Sequence, residues 1–336
     1  MTATDEILAR FPRVHLLPTA SGVQRLRRLE QVFGNGVEIY IKRDDALRPF
    51  CGNKLRYIEF ILGAAHAEGA DCLLHCGGAT SNYMAQLAII GAERGLPVNI
   101  ALQAGPEAAA MPNPTLIALH GGRIRYVGNM AGGEAKAAWA ADIRAAGGRP
   151  YVIGPPFSNH SAILGFLAAA QEIQQQHDCG MMPPVDSIYM CSAGNSYLGL
   201  RLGAHLTGAH FEIRAFSPIR FADTQLTDLA SSRNAFLHRK LSEFASAAGL
   251  PLPEISIDVS EGMVGPGYGV PTPEALEAIR LVARLEGIAL DPVYTGKAAA
   301  ALIADLRAGI IKPGQRVLFW HSGGAANLFS PALMQA

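Results

Sequence analysis

Cys72-Leu73-Leu74-His75-Cys76-Gly77-Gly78-Ala79-Thr80-Ser81-Asn82 is a short apolar run that breaks into a glycine-rich turn and then into a helix-forming segment, 83–94. Strand, tight turn and helix in that order make the βα unit of an α/β protein. The turn is also an anion site by construction. Backbone N–H groups at a helix N-terminus stand there beside the hydroxyls of Thr80 and Ser81 and the amide of Asn82. The functional reading is a cradle for a substrate carboxylate, with Ser81 and Asn82 facing the chemistry. The alternative is a plain turn in which Ser81 caps the helix.

The same alternation continues in both directions. Apolar, β-rich runs at 98–102, 123–127, 151–153, 187–191, 212–216 and 316–320 read as strands. Helix-periodic segments fall at 55–67, 135–146, 160–177, 198–206, 273–286 and 297–308. The pattern predicts an α/β fold with a mostly parallel sheet. Stretches 105–114 and 179–185 are rich in Pro, Gly and Met and read as loops, the second a passage between lobes.

Two more strand ends run into small-residue turns. After 187–191 comes Ser192-Ala193-Gly194-Asn195-Ser196, whose small side chains let backbone approach a phosphate closely while Ser196 adds a hydroxyl. It matches neither the dinucleotide G-x-G-x-x-G nor the G-x-x-x-x-G-K-[ST] triphosphate loop. After 316–320 comes His321-Ser322-Gly323-Gly324, at the carboxyl end of a strand, where ligands gather in open α/β sheets. His321 taken singly reads as a structural histidine.

Lys54 lies in Cys51-Gly52-Asn53-Lys54-Leu55-Arg56, where the β-rich run 37–41 gives way to a helix-periodic segment. Asn53 is a good N-cap, which puts Lys54 in the first helical turn. The positive end of a helix disfavours an ammonium ion and favours the neutral amine, which can attack a carbonyl carbon. A lysine nucleophile, a carboxylate cradle and a phosphate cradle together point to pyridoxal 5'-phosphate, which needs an aldehyde partner, a phosphate site and a substrate carboxylate site.

Composition narrows the classes. The 336 residues are 49% hydrophobic and 17% charged, with formal net charge zero and no basic stripe, which argues against nucleic acid as a partner. Five cysteines in apolar or Gly-rich contexts argue against a disulfide framework, and Cys72 and Cys76 lack a second pair for a zinc site; no metal is expected. The charged stretch 1–13 has no apolar core of a secretion signal, and no apolar run reaches the spanning length of about 18 residues. The expectation is a cytoplasmic protein that binds a small amino-acid substrate and no membrane.

A second set of motifs lies near the C-terminus: Glu261-Gly262-Met263-Val264-Gly265-Pro266-Gly267-Tyr268-Gly269-Val270-Pro271, then Glu277-Ala278-Ile279-Arg280, Ala283-Arg284-Leu285-Glu286-Gly287, and Leu290-Asp291-Pro292-Val293-Tyr294-Thr295-Gly296-Lys297. With Gly52-Asn53-Lys54-Leu55-Arg56 and the Gly77–Asn82 turn, these resemble the family of 1-aminocyclopropane-1-carboxylate deaminase and D-cysteine desulfhydrase. The resemblance runs from about Pro18 to Phe329, with the motifs in matching order.

The resemblance implies a tryptophan-synthase-β-like architecture (fold type II): two open, twisted, mostly parallel sheets flanked by helices. A small domain at 53–161 would be inserted in a large one built from 1–52 and 162–336, with pyridoxal phosphate in the cleft and a homodimer as the assembly. By position, Lys54 would form the internal Schiff base beside Asn53, and Ser81 would be the catalytic hydroxyl facing the substrate, with Thr80 in the same turn. Asn82 would lie beside the ring oxygen, and Ala193, Gly194, Asn195 and Ser196 would form the phosphate loop. Tyr268 and Tyr294 would be the paired phenols of the substrate pocket.

Two positions bear on the reaction. The cyclopropane-opening deaminases typically carry Glu where Thr295 stands and Leu where Ser322 stands. A carboxylate near the ring nitrogen keeps it protonated and strengthens the electron sink; a neutral hydroxyl leaves a weaker sink, which suffices for a good leaving group on Cβ. Both positions favour the desulfhydrase-like branch, hence β-elimination from D-cysteine, L-cysteate or another β-substituted alanine, giving pyruvate and ammonia. Cyclopropane deamination and a non-catalytic pyridoxal phosphate-binding protein are the alternatives. The chain departs from the family pattern at Tyr57 (usually Lys), Thr80 (usually Gln), Ala85 (commonly Arg) and in the 192–196 loop, usually Gly-rich with a closing Thr.

Overall fold

The computed structural model describes residues 2–330 apart from 18, 35 and 155–159. Pro18, where the resembling stretch begins, lies outside the described residues, as do 155–159 of the expected small domain and 331–336 of the expected large one. Ten strands are described: β1 (Val23–Arg25), β2 (Glu38–Arg43), β3 (Cys72–Gly77), β4 (Val98–Leu102), β5 (Arg123–Tyr126), β6 (Pro150–Val152), β7 (Ser187–Cys191), β8 (Glu212–Phe216), β9 (Val259–Ser260) and β10 (Arg316–His321). The first six helices are α1 (Ala3–Leu8), α2 (Arg27–Phe33), α3 (Leu55–Ala67), α4 (Asn82–Arg94), α5 (Pro112–Leu119) and α6 (Gly132–Ala145). The others are α7 (Ser161–Asp178), α8 (Asn195–Thr207), α9 (Arg233–Ala247), α10 (Pro273–Glu286) and α11 (Thr295–Arg307).

The chain forms two compact units: a larger one from Met1–Arg10, Leu17–Arg56 and Ala162–Ala336, and a smaller one from Phe11–Leu16 and Tyr57–Ser161. Set against the expected 53–161, residues 53–56 group with the larger unit and Phe11–Leu16 with the smaller. Glu59 holds that N-terminal segment: Val14 N donates to its O at 2.9 Å, Leu16 N to its Oε1 at 2.8 Å, and the Arg13 guanidinium forks onto its Oε2 at 2.6 and 2.8 Å.

The larger unit holds a six-stranded sheet ordered β1-β2-β10-β7-β8-β9, parallel throughout except for the β1–β2 pair. The central strands β7 and β10 are buried almost end to end, which is why they read as continuous apolar runs rather than alternating ones. Ile39, Ile41, Tyr189, Val317 and Phe319 of this sheet pack against Leu276, Ile279, Leu302 and Ile303 of α10 and α11. Helix α10 has clear punctuation: Thr272 caps Ala275 N, Pro273 opens the helix, and Gly287 closes it at φ +68°.

The smaller unit holds a four-stranded, wholly parallel sheet ordered β5-β4-β3-β6. Leu74 and Ala101 meet Ala135, Trp139 and Ala140 of α6 on one of its faces. The fold is therefore α/β, two mostly parallel sheets flanked by helices. Two loop expectations fail: the stretch 179–185, expected to pass between lobes, lies wholly within the larger unit. In the stretch 105–114, α5 begins at Pro112, because proline is tolerated in a first helical turn, where its missing N–H would have no intrahelical acceptor.

Behind the start of α3 lies a buried charged network in the larger unit. Arg56 forks onto Asp44 at 2.7 and 2.9 Å and onto Glu172 at 2.8 Å, Lys42 pairs with Glu172, and Trp320 Nε1 donates to Asp44 at 2.8 Å. Each charge has an opposite partner and further hydrogen bonds, the condition under which ions survive burial.

Candidate active site

In the larger unit, Lys54 occupies a tight turn closed by Leu55 N to Gly52 O at 3.0 Å and Arg56 N to Asn53 O at 3.2 Å. Helix α3 starts only at Leu55, so the expectation of Lys54 inside the first helical turn shifts by one residue. The half-buried Lys54 places Nζ 3.1 Å from Asn53 Oδ1, and Asn53 itself is buried. What fixes this turn is backbone. Asn53 N donates to Ser322 O at 3.1 Å. A Cβ on Gly52 would stand 2.3 Å from that same oxygen, and one on Gly323, at φ +90°, would stand 2.7 Å from Cys51 O. The Lys54 turn and the Ser322 turn therefore touch main chain to main chain, which only glycine permits. His321 anchors the second turn: buried, it contacts Ala289 O at 2.9 Å and accepts from Gly323 N at 3.2 Å. Burial lowers its basicity, with nearby Asp45 opposing.

The loop of Ala193, Gly194, Asn195 and Ser196 joins β7 to α8. Ser192 shapes it from inside: its buried Oγ accepts from Gly194 N at 3.0 Å and Tyr197 N at 3.2 Å and pairs with Ser196 Oγ at 2.8 Å. Gly194 is at φ +141°, where a Cβ would lie 2.3 Å from Leu237. Asn195 and Ser196 open α8, where first-turn N–H groups have no intrahelical acceptor, and Asn195 Oδ1 is buried without a hydrogen-bond partner. A turn of this build, small side chains leading into the amides of a helix N-terminus, suits an anion.

Tyr268 and Tyr294 are brought together through a direct hydroxyl–hydroxyl hydrogen bond, their rings edge to face at 6.1 Å. Burial, then the neighbouring Tyr268, pushes the Tyr294 phenol well above its usual range, so it stays protonated. Two unexpected residues set this pair. Asp291, fully buried, accepts from the backbone N–H groups of Val293, Tyr294 and Thr295 and so builds the turn into α11. Lys297, also buried, donates to Val264 O at 2.7 Å and Gly267 O at 3.2 Å, pinning the loop that carries Tyr268.

Thr295 needs a correction. Its hydroxyl donates to Asp291 Oδ1 at 2.8 Å and accepts from Asp291 N at 2.7 Å in a fully buried position. A hydroxyl has one proton, and this one is spent within the turn, so Thr295 is not a donor toward a ring nitrogen. The half-buried Ser322, adjoining the Lys54 turn, keeps that candidacy.

In the smaller unit, the turn after β3 leads to α4 with Ser81 at the cap position, yet the Ser81 side chain makes no capping bond. The plain-cap alternative thus fails, and the Ser81 hydroxyl is not consumed by its own helix. Thr80 and Ser81 are half-buried, and Asn82 is buried with Oδ1 accepting from Asn113 Nδ2 at 3.0 Å. Asn113 belongs to α5, the helix hidden in the stretch read as a loop. Tyr57, in the place where lysine was the family pattern, is buried edge-on to Tyr83 at 6.1 Å. His75 lies against the same Tyr83 ring at 4.9 Å.

A family model described as "Pyridoxal-phosphate dependent enzyme" matches residues 17–323. The chain belongs to the pyridoxal-phosphate dependent enzyme family. Among solved structures, one described as an ACC deaminase homologue is 30% identical, with a TM-score of 0.83 over 98% of this chain and 97% of that one. Threonine deaminase isoform 2 from Solanum lycopersicum is 17% identical, with a TM-score of 0.67 over 98% of this chain and 90% of that one. A hydrogen sulfide-producing enzyme from Fusobacterium nucleatum is 16% identical, with a TM-score of 0.60 over 95% and 97%. The last two share the fold.

The residues present fit the cofactor of this pyridoxal-phosphate dependent enzyme. The 192–196 turn offers first-turn amides and the Ser196 hydroxyl around a Gly194 that no Cβ could replace. The Gly52–Ser322 contact sets a lysine amine beside a neutral hydroxyl turn. Among the side chains foreseen from the sequence, the structure groups Asn53, Lys54 and Ser322 in one backbone contact, joins Tyr268 to Tyr294, and turns Thr295 inward.

Proposed function

We propose that this pyridoxal-phosphate dependent enzyme is a carbon–sulfur lyase that eliminates the β-substituent of a substituted alanine such as D-cysteine or L-cysteate, releasing pyruvate, ammonia and the sulfur leaving group. The observation that carries this reading is the neutral Ser322 turn packed against the Lys54 turn. Bound there, pyridoxal phosphate would supply an electron sink for a carbanion at the substrate Cα. Ser322 would offer that ring a neutral hydroxyl rather than a carboxylate, a weaker sink that would suit loss of a good leaving group.

Each side chain then has a role its surroundings support. Lys54 would hold the cofactor through its amine and, once the substrate amine takes its place there, would be free as a base for the Cα proton. Ser81, unencumbered by capping, and the first-turn amides of α4 take the substrate carboxylate, with Thr80 and Asn82 beside them. Ala193, Gly194, Asn195 and Ser196 take the phosphate. Tyr294, kept protonated by burial and bonded to Tyr268, is a hydrogen-bond donor rather than a base: its O–H steadies the departing sulfur as the Cβ–S bond breaks and the electron pair leaves with sulfur. The reading includes a cytoplasmic homodimer; among the described residues no helix is long and apolar enough to cross a membrane.

Cyclopropane deamination is the second reading, favoured by the 30% identity to the structure described as an ACC deaminase homologue. A panel of β-substituted alanines in both enantiomers, with 1-aminocyclopropane-1-carboxylate, scored for pyruvate, 2-oxobutyrate and the sulfur product, separates the readings. Pyruvate with stoichiometric sulfide or sulfite is expected. 2-Oxobutyrate alone would establish the second reading, and no turnover with any of them would leave a binding protein.

A further inference from the structure

The 192–196 loop is shaped from outside as well as from inside, by helix α9. Arg233 opens that helix and is buried, with 5% relative exposure. A cation at a helix N-terminus faces the positive end of the helix dipole, so burying one there needs strong compensation. Arg233 finds it in three acceptors: Nη1 donates to Ala193 O at 2.7 Å, Nη2 to Ile219 O at 2.7 Å, and Nε to Glu261 Oε1 at 2.9 Å. The bond to Ala193 O fixes the orientation of one peptide of the loop. Its carbonyl is turned onto the guanidinium, and the N–H at the other side of that peptide, Gly194 N, is satisfied by Ser192 Oγ. A carbonyl turned the other way would present lone pairs to any anion entering the loop. One turn further along α9, Leu237 closes on the Cα of Gly194 so tightly that no Cβ fits.

We propose that Arg233 is the positioning residue of the phosphate loop: it withdraws the Ala193 carbonyl from the anion's path and places a buried positive charge directly behind the loop. Helix α9 thereby acts as a strap that holds the cradle open. The inference rests on the assignment of this loop to the cofactor phosphate and is independent of which substrate is cleaved.

The test uses apo-protein and no substrate. Wild type, Arg233→Met, Arg233→Lys and Ser196→Ala are titrated with pyridoxal phosphate and with pyridoxal, which lacks the phosphate, following cofactor absorbance. Losing a charge-assisted hydrogen bond is expected to raise the pyridoxal phosphate Kd of Arg233→Met by about 10- to 100-fold. Pyridoxal affinity should stay put. Arg233→Lys keeps the charge and loses the fork, so its Kd should fall between the two. Should the Met variant not fold, the Lys variant carries the same comparison. Equal losses for pyridoxal phosphate and pyridoxal, or no loss for either, would overturn the proposal. If Ser196→Ala also leaves pyridoxal phosphate affinity intact, the loop is not the phosphate site and the proposal falls with that assignment.

Discussion

Burial keeps the Tyr294 phenol protonated, and its oxygen is shared with Tyr268. Tyr294→Phe removes the hydroxyl but neither the lysine nor the phosphate loop. Its kcat should fall by about 10²- to 10³-fold, as for loss of a preorganised hydrogen-bond donor, with cofactor affinity unchanged. Undiminished turnover would remove Tyr294 from the chemistry. A second residue gives a pH signature. Burial, assisted by the Lys136 ammonium, pushes the His75 imidazole down to about 3, and its buried Nδ1 has no hydrogen-bond partner. Between that value and the ordinary one of about 6.5 the unfolded chain binds a proton that the folded chain refuses. Stability therefore falls as pH drops through that window, by at most about 1.4 kcal/mol per unit. Thermal melts of apo-protein at neutral and mildly acidic pH should show a smaller acid loss for His75→Phe than for wild type; parallel losses would contradict the assignment. At this scale the sequence made Lys54, Ser81 and the two tyrosines visible. It hid their partners: Asn113 lies 31 positions from Asn82, and Lys297 reaches back 33 and 30 positions to Val264 and Gly267. Hydrogen bonds of that reach leave no local pattern.

At the scale of elements, the strand-to-helix turns were legible because a buried parallel strand is a continuous apolar run and its turn must be small. The β4, β7 and β8 boundaries coincide with the apolar runs 98–102, 187–191 and 212–216. Helices α5 and α9 were not foreseen, for different reasons. Prolines at 112 and 114 look like breakers when they in fact open α5, and α9 mixes Arg, His, Lys and Glu through its apolar stripe. The hydroxyl of Thr295 misled because its helix start needs Asp291 as a partner, and that pairing takes precedence over any ligand. The element that most constrains the site is the Gly52–Ser322 contact. Gly52→Ala drives a Cβ to 2.3 Å from Ser322 O, and main chain yields poorly. We expect a stability loss of about 1–3 kcal/mol from this overpacking. Cofactor occupancy measured by absorbance should fall with it; full occupancy with an unchanged Tm would show that the two turns need not touch.

For the molecule as a whole, alternating apolar runs and helix-periodic segments made the α/β class legible, and the family resemblance implied its two mostly parallel sheets. That architecture was readable from the chain. What periodicity could not supply was the charge arrangement inside the larger unit. Lys42, Asp44, Arg56 and Glu172 come from β2, the residue after it, α3 and α7, and they neutralise one another only once folded. Arg56 stands two residues from Lys54, so the network also braces the start of α3. Arg56→Met leaves Asp44 facing a lost partner in a buried place, and apo-protein should lose about 3–5 kcal/mol in denaturant unfolding. A loss below about 1 kcal/mol would mean the network is solvated, contrary to its burial. The most direct test of the whole account is chemical. Holo-protein is reduced with borohydride, digested and sequenced by mass spectrometry to locate the phosphopyridoxyl group. The label should sit on Lys54; a label on Lys42, Lys297 or any other lysine, or none on Lys54, would contradict the assignment from which the rest follows.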